Sequence, residues 1–308
     1  MHIYLPIAEM SVNMFTLLAM GAAVGFISGM FGVGGGFLMT PLLIFLGIPP
    51  AIAVATQASQ ITASSVTGAL GYWRRKALDF KLGGVLVAGG FVGTLLGVWF
   101  FNVMSRLGQL EFVIVVSYVT LFGIIGSLML AESLKTIWAT RRGAVPHSRR
   151  SGEHPWYLGL PWKMRFHRSK LYGSVIPIVT LAMLIGFAGA VLGIGGGFIL
   201  VPALIYLFRI PAAVVVGTSL FQILFTMMAA TLLHAATNQS VDVVLAMLLI
   251  IGGVMGAQFG ARAGQNLRGE SFRLLLAILV LGVGIRFAID LVVTPQEPFS
   301  LVTVGARP

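Results

Sequence analysis

The chain has 308 residues, of which 57% are hydrophobic and 9% charged, with a net charge of +11 and no cysteine. Soluble domains carry roughly 25% charged residues, so this composition excludes an ordinary water-facing surface. Without cysteine there are no disulfides and no thiolate metal sites, and neither a metal-binding nor a cofactor motif takes their place.

Charge-free intervals set the scale. Between Glu9 and Arg74 there are 64 consecutive residues without Asp, Glu, Lys or Arg. Further such intervals run Lys81 to Arg106, Glu111 to Glu132, Lys170 to Arg209, Arg209 to Asp242 and Asp242 to Arg262. Each exceeds the roughly 18 apolar residues of a membrane-crossing helix, which defines an all-α integral membrane protein. Because no Lys or Arg precedes Arg74, the basic start of a cleaved signal peptide is absent, and the first helix is expected to stay in the mature chain.

In chain order the pattern predicts a first helix over 12–31, a glycine break, a short helix over 37–47, and three fuller spans over 51–72, 82–103 and 112–131. A basic stretch over 132–173 follows. The same series then returns as 174–192, 198–208, 212–234, 243–261 and 272–291. A short helix of about 11 residues reaches only about 16 Å, roughly half the hydrocarbon thickness, so it either spans incompletely or folds back as a re-entrant hairpin.

The return is a duplication. Residues 25–46 and 186–207 share 11 of 22 positions at an offset of 161, including Gly34, Gly35, Gly36, Phe37 and Pro41 opposite Gly195, Gly196, Gly197, Phe198 and Pro202. Thr56 and Gln60 fall opposite Thr218 and Gln222 at an offset of 162. Asp79, Gly89, Gly90, Gly93 and Gly97 fall opposite Asp242, Gly252, Gly253, Gly256 and Gly260 at 163. Three divisions result: a first membrane repeat over 1–131, a basic cytoplasmic connection over 132–173, and a second repeat over 174–308.

In each repeat the first and short helices return the chain to its starting side, and three spans then leave it on the other, so the repeats are expected to be inverted. Placing 132–173 in the cytoplasm puts 17 of the 20 Lys and Arg residues on that side, as the positive-inside rule requires, and leaves both termini outside. Trp156, Tyr157 and Trp162 stand among Lys163, Arg165, Arg168 and Lys170, a mixture suited to anionic lipid headgroups rather than to nucleic acid.

Inverted repeats with a glycine-interrupted segment at matched places are the sequence sign of a transporter site near the bilayer midplane. An interrupted helix exposes backbone N–H groups and the positive end of its dipole, which hold an anion without a cationic side chain. Gly34, Gly35, Gly36 and Phe37, with Gly195, Gly196, Gly197 and Phe198, are the candidate binding backbone. Pro41 and Pro202, four residues after the phenylalanines, each withhold an N–H from the helix ladder. Thr56, Gln57 and Gln60, with Thr218, Ser219 and Gln222, are the candidate neutral hydrogen-bonding side chains. A nucleotide-binding reading of the glycines fails because no strand or Walker lysine accompanies them.

Other polar residues have more ordinary readings. Arg286 lies well inside a span and is a possible anion-attracting cation, but Asp290 one turn away points to an ion pair. Asp79 and Asp242 precede helices and are expected to cap them. His234, near the outer end of its span, is expected at the interface. With no cysteine and a single deep histidine, an intramembrane enzyme is disfavoured.

The paired GxGGGF-x3-P motifs, each followed by a Thr-led polar helix (ATQASQI at 55–61, GTSLFQI at 217–223), resemble the sulfite exporter TauE/SafE family of membrane permeases. The resemblance implies export of a small sulfur oxyanion or organosulfonate, such as sulfite or sulfoacetate, across the bacterial inner membrane. Its motif positions fall on Gly34, Gly35, Gly36, Pro41 and Thr56, and on Gly195, Gly196, Gly197, Pro202, Thr218 and Ser219. The first repeat departs from it in having Thr56-Gln57 where Thr-Ser is usual. An anion channel, or a transporter of another small anion such as thiosulfate, is the alternative; a monomer and a homodimer are both compatible with the pattern.

Overall fold

The computed structural model describes residues 2–31, 35–141, 161–166, 168–169, 171–208, 210–263 and 269–293. Gly34, Trp156, Tyr157 and Lys170 lie outside them. The chain divides into two compact units, one formed by Met1–Ile114 with His147–Arg268 and the other by Val115–Pro146 with Gly269–Pro308.

The first unit opens with a hairpin of β1 (His2–Leu5) and β2 (Met10–Asn13), followed by helices α1 (Met14–Phe31), α2 (Gly36–Phe45), α3 (Pro50–Arg74) and α4 (Phe80–Arg106). Helix α5 (Leu110–Arg141) leaves this unit. A second hairpin, β3 (Lys163–Phe166) with β4 (Leu171–Ser174), then leads into α6 (Ile176–Leu192), α7 (Gly197–Phe208), α8 (Ala212–Thr237) and α9 (Val243–Ala263). In the second unit the α5 residues beyond Ile114 pack on α10 (Gly269–Val292), where Tyr118 stacks on Phe287 with ring centroids 5.4 Å apart. Among the described residues, five helices are long and apolar enough to cross a membrane.

Helix α3 is not among those five, although its 25 residues at about 1.5 Å each would span a bilayer. Thr56, Gln57, Gln60 and Ser65 lower its hydropathy, and all four are buried. Enclosure by other helices, rather than apolarity, accommodates α3.

Glycine sets how the remaining helices meet. Gly21 lies against Gly252 and Gly253, Gly25 against Gly253, and Gly29 against Ala257, so α1 and α9 run parallel in backbone contact. In the same way Gly89 lies against Val179, Gly93 against Met183, and Gly97 against Phe187 and Ala190, making α4 and α6 parallel. Such approach is what small residues permit between membrane helices, where lipid removes the hydrophobic drive for association. The outward face of α9 is apolar: Val243, Met247, Ile251, Met255 and Phe259, spaced one helical turn apart, are all exposed.

Helices α3 and α8 form the central pair and run antiparallel, since Gly68 meets Leu220 and Gly217 meets Tyr72. Thr56 and Gln60 on α3 adjoin Asp242 and Gly253, so α3 runs with α9 and α1. Thr218 and Gln222 on α8 adjoin Gly83 and Gly90, so α8 runs with α4 and α6. Of the matched pairs α1/α6, α3/α8 and α4/α9, the members therefore point in opposite directions.

The hairpins were not expected from the sequence, which assigned 163–173 to the connecting segment and ended the fifth span at 131. In the structure α5 continues to Arg141, and β3–β4 stands at the same offset of 161 from β1–β2. Phe166 and Leu171 bury in a core with Leu82, Leu86, Ile178 and Leu204, so this basic stretch is in part a folded cap.

Candidate functional site

At the first break, α1 ends at Phe31 and α2 begins at Gly36, with Gly35 between them in the left-handed region (φ 64°, ψ −24°). At the second, α6 ends at Leu192, Gly193, Gly195 and Gly196 hold φ of 67°, 70° and 77°, and α7 begins at Gly197. A side chain in this region costs about 1–2 kcal/mol, so glycine is what lets the chain reverse here. Gly36 is required by space as well, because a Cβ there would run into Ile61 and the Gly193 carbonyl.

The two breaks touch. The Thr40 hydroxyl on α2 reaches the carbonyl oxygens of Gly36 (3.4 Å) and Gly193 (3.3 Å), joining its own helix start to the opposite break. Phe37 and Phe198 stack at the starts of α2 and α7. Between the breaks sits an apolar cluster of Ala58, Ile61, Ile223, Met227 and Ala230 from α3 and α8. Ile61 lies against both Gly36 and Gly195, and Ile223 against Gly195. Pro41 and Pro202 are inside α2 and α7, where they contribute no N–H to the ladder.

The same two helices carry buried neutral polar side chains. Thr56, Gln57 and Gln60 on α3, and Thr218, Ser219 and Gln222 on α8, are all buried. Gln60 lies against Gly253 and Gln222 against Gly90, so each glutamine fills room left by a glycine of the neighbouring helix. Gln57 Nε2 donates to Gln60 Oε1 at 2.6 Å, and Gln222 Nε2 to Thr226 Oγ1 at 3.2 Å. Among the described residues, Gln57 Oε1, Ser65 Oγ, Ser219 Oγ and Gln222 Oε1 find no hydrogen-bond partner, which is costly in a low-dielectric interior. Gln57 shares a face of α3 with Val54, which touches Gly193, and with Ile61; Ser219 lies one turn before Ile223 on α8. Both therefore stand on the faces turned to the breaks.

The two threonines face the ends of the neighbouring helices instead. Thr56 Oγ1 accepts the Asp242 N–H at 3.0 Å, and Thr218 Oγ1 accepts the Asp79 N–H at 3.2 Å. Each aspartate caps its helix: Asp79 Oδ1 accepts from Lys81 and Leu82, and Asp242 Oδ1 from Val244 and Leu245. The remaining carboxylate oxygens hold the hairpins, Asp79 Oδ2 accepting from the Ser169 N–H and hydroxyl, and Asp242 Oδ2 from the Ile7 N–H. Burial alone would push the Asp79 carboxyl up, but the Ser169 hydroxyl and the N–H groups of Leu82, Ser169 and Lys81 together bring it below the usual range.

The Arg286–Asp290 pair that the sequence pointed to forms in the second unit, where 56% of the Arg286 side chain is exposed. His234 is fully buried rather than interfacial, with Nε2 at 3.1 Å from the Ala190 carbonyl and Nδ1 at 2.9 Å from the Asn238 amide. Thr40, Ile61 and Ile223 were missed. Thr40 has no counterpart at Val201, but the isoleucines end both copies of the polar motif at the 162 offset, a visible signal.

Membrane-length helices, close glycine packing, and two backbone breaks beside helices with buried uncharged polar side chains are the features of a multi-pass membrane transporter. The family model for the sulfite exporter TauE/SafE matches residues 17–287, and the chain belongs to that family. It is 31% identical to a probable membrane transporter protein of Xylella fastidiosa over 256 residues, covering 80% of this chain and 84% of that one. It is 25% identical to the probable membrane transporter protein YunE of Bacillus subtilis, covering 87% of this chain and 94% of that one. A shorter stretch of 54 residues, 18% of this chain and 12% of the other, is 43% identical to sulfite exporter TauE/SafE family protein 5 of Arabidopsis thaliana. No solved structure matches.

Proposed function

We propose that the protein exports a small sulfur-containing anion, sulfite or an organosulfonate such as sulfoacetate, by alternating access of two inverted repeats. The family likeness supports placement in the inner membrane, and the charge distribution supports both termini outside, with the basic residues before α6 facing anionic headgroups. The supporting observation is the pair of left-handed glycine breaks, Gly35 and Gly195–Gly196, meeting through Thr40 and Gly193 between oppositely directed helices.

The breaks offer N–H groups and helix dipole ends, while Gln57, Gln60, Ser219 and Gln222 offer neutral hydrogen bonds. Thr56 and Thr218 link this centre to the capped ends at Asp242 and Asp79, so exposure of the centre to one side requires one linkage to loosen. Export from a negative-inside cell is downhill by about 2.3 kcal/mol per charge per 100 mV, which removes the need for a coupled ion.

Flux of sulfite and sulfoacetate into proteoliposomes, with the potential clamped at either sign, tests this reading. Saturable, voltage-sensitive flux that is lost in Gly35→Leu and Gly196→Leu is expected. Equal flux in protein-free vesicles, or unchanged flux in both variants, would overturn it.

A further inference from the structure

We infer that the bodies moving during transport are not the two repeats but two mixed groups that have exchanged a helix: α1, α2 and α3 with α9, and α6, α7 and α8 with α4. This deepens the permease reading above and rests on it. The exchange keeps the inverted relation, because every helix of one group has its counterpart in the other.

Backbone packing defines the groups. A Cβ at Gly25 or Gly29 on α1 would run into the backbone of Gly253 or Ala257, and one at Gly256 or Gly260 on α9 into that of Ala22 or Phe26. Helices α4 and α6 are joined alike, Gly93 lying against the Met183 backbone and Gly186 against that of Gly90. Backbone on backbone over several turns leaves little side chain to repack, and close-packed elements move as pieces rather than deform. Each pair takes one helix from either repeat. Motion of one whole repeat against the other would therefore have to break both pairs.

The central helices divide in the same way. Helix α3 is tied to α9 by the Thr56–Asp242 bond and by Gln60 in the room left at Gly253; α8 is tied to α4 by the Thr218–Asp79 bond and by Gln222 at Gly90. Helix α2 packs on α3, and α7 on α8. Between the groups, contact runs through side chains: Gly68 meets the Leu220 methyls, Gly217 meets Tyr72, and Ile61 shares a cluster with Ile223. The two breaks meet on this seam, through Thr40 with Gly193 and Phe37 with Phe198. Sliding along it opens the place assigned to the anion.

The linkers carry a second, independent sign. The chain passes from the first group to the second through residues 75–79 and back through 238–242, stretches matched at the offset of 163. Lys76 and Gln239, at the same place in each, hold φ of 56° and 49°. Left-handed backbone is disfavoured for such long side chains, so both crossings store strain at one matched position. Joints between rigid bodies are a few such terminal or linker residues that absorb the change in φ and ψ.

The test uses the full chain in proteoliposomes, with maleimide-linked spin labels on cysteine pairs; the chain has no cysteine of its own. Phe15→Cys on α1, Trp99→Cys on α4, Leu184→Cys on α6 and Met247→Cys on α9 replace exposed side chains. Distances are read with and without methanesulfonate at either sign of potential, beside methanesulfonate flux in the same vesicles. Phe15–Met247 and Trp99–Leu184, each within one group, should stay fixed. Phe15–Trp99 and Leu184–Met247, each within one repeat, should change by several ångströms. Gln239→Gly relieves the second linker of strain and should hold the changing distances nearer their substrate-free values; wild-type distances in that variant would remove the linkers as joints. A change in either within-group distance, or no change in any of the four, during measured flux would overturn the exchange and leave the permease standing. Absence of flux would overturn the permease reading and this inference together.

Discussion

Phe37 and Phe198, the second residues of α2 and α7, stack with ring centroids 4.5 Å apart and planes 10° from parallel. The two short helices therefore begin side by side, although they lie 161 positions apart in the chain. An aromatic pair of this geometry contributes about 0.5–1.5 kcal/mol beyond its burial. A double-mutant cycle of Phe37→Leu and Phe198→Leu, read from unfolding in detergent, should show a coupling of that size. Additive single effects would mean that the rings do not interact.

Gly195 and Gly196 hold left-handed backbone, and a Cβ on Gly196 would also meet Ile185. Gly195→Ala should cost at least about 1–2 kcal/mol of stability from backbone strain, and Gly196→Ala more, because its Cβ would press deeper into Ile185 than that of Gly195 into Ile61. Thermal midpoints of the two purified variants give the order directly.

Contact between α4 and α6 depends on Gly93, where a Cβ would collide with the Met183 carbonyl. At Gly84, on the same helix, a Cβ would meet nothing within 4 Å. Gly93→Ala should destabilise by about 1–3 kcal/mol, while Gly84→Ala should be neutral or slightly stabilising through helix propensity. The comparison is internally controlled, since both substitutions add one methyl group to one helix.

Asp79 is 4% exposed and accepts four hydrogen bonds, from Lys81, Leu82 and twice from Ser169. Its carboxyl is held below the usual range, so the stability it supplies is whole above the ordinary carboxyl value of about 4 and is lost as pH falls through the lower native value. Asp79→Asn should cost about 1–3 kcal/mol near neutrality, with the gap to wild type closing in acid. A gap that stays constant down to the acid limit would show that the charge is not what the Ser169 turn holds.

Much of this arrangement was legible in the sequence because glycine is demanding. Gly89, Gly90, Gly93 and Gly97 recur as Gly252, Gly253, Gly256 and Gly260 since neighbouring helices press so closely at those places that a Cβ would collide. The hairpins were illegible for the opposite reason. HIYL and MSVN share no residue with KMRF and LYGS at the same positions, because a four-residue edge pair needs only a few buried apolar contacts. The Thr56–Asp242 and Thr218–Asp79 bonds were equally hidden, because their partners come from the other copy, 186 and 139 positions away.

If the breaks hold the anion, Ile61 fills the space between Gly36 and Gly195 when none is bound. A structure determined with methanesulfonate present tests this most directly. Sulfonate oxygens are expected within hydrogen-bond distance of first-turn N–H groups of α2 or α7, with Ile61 displaced from both glycines. Sulfonate bound elsewhere, with Ile61 still seated against Gly36 and Gly195, would contradict it.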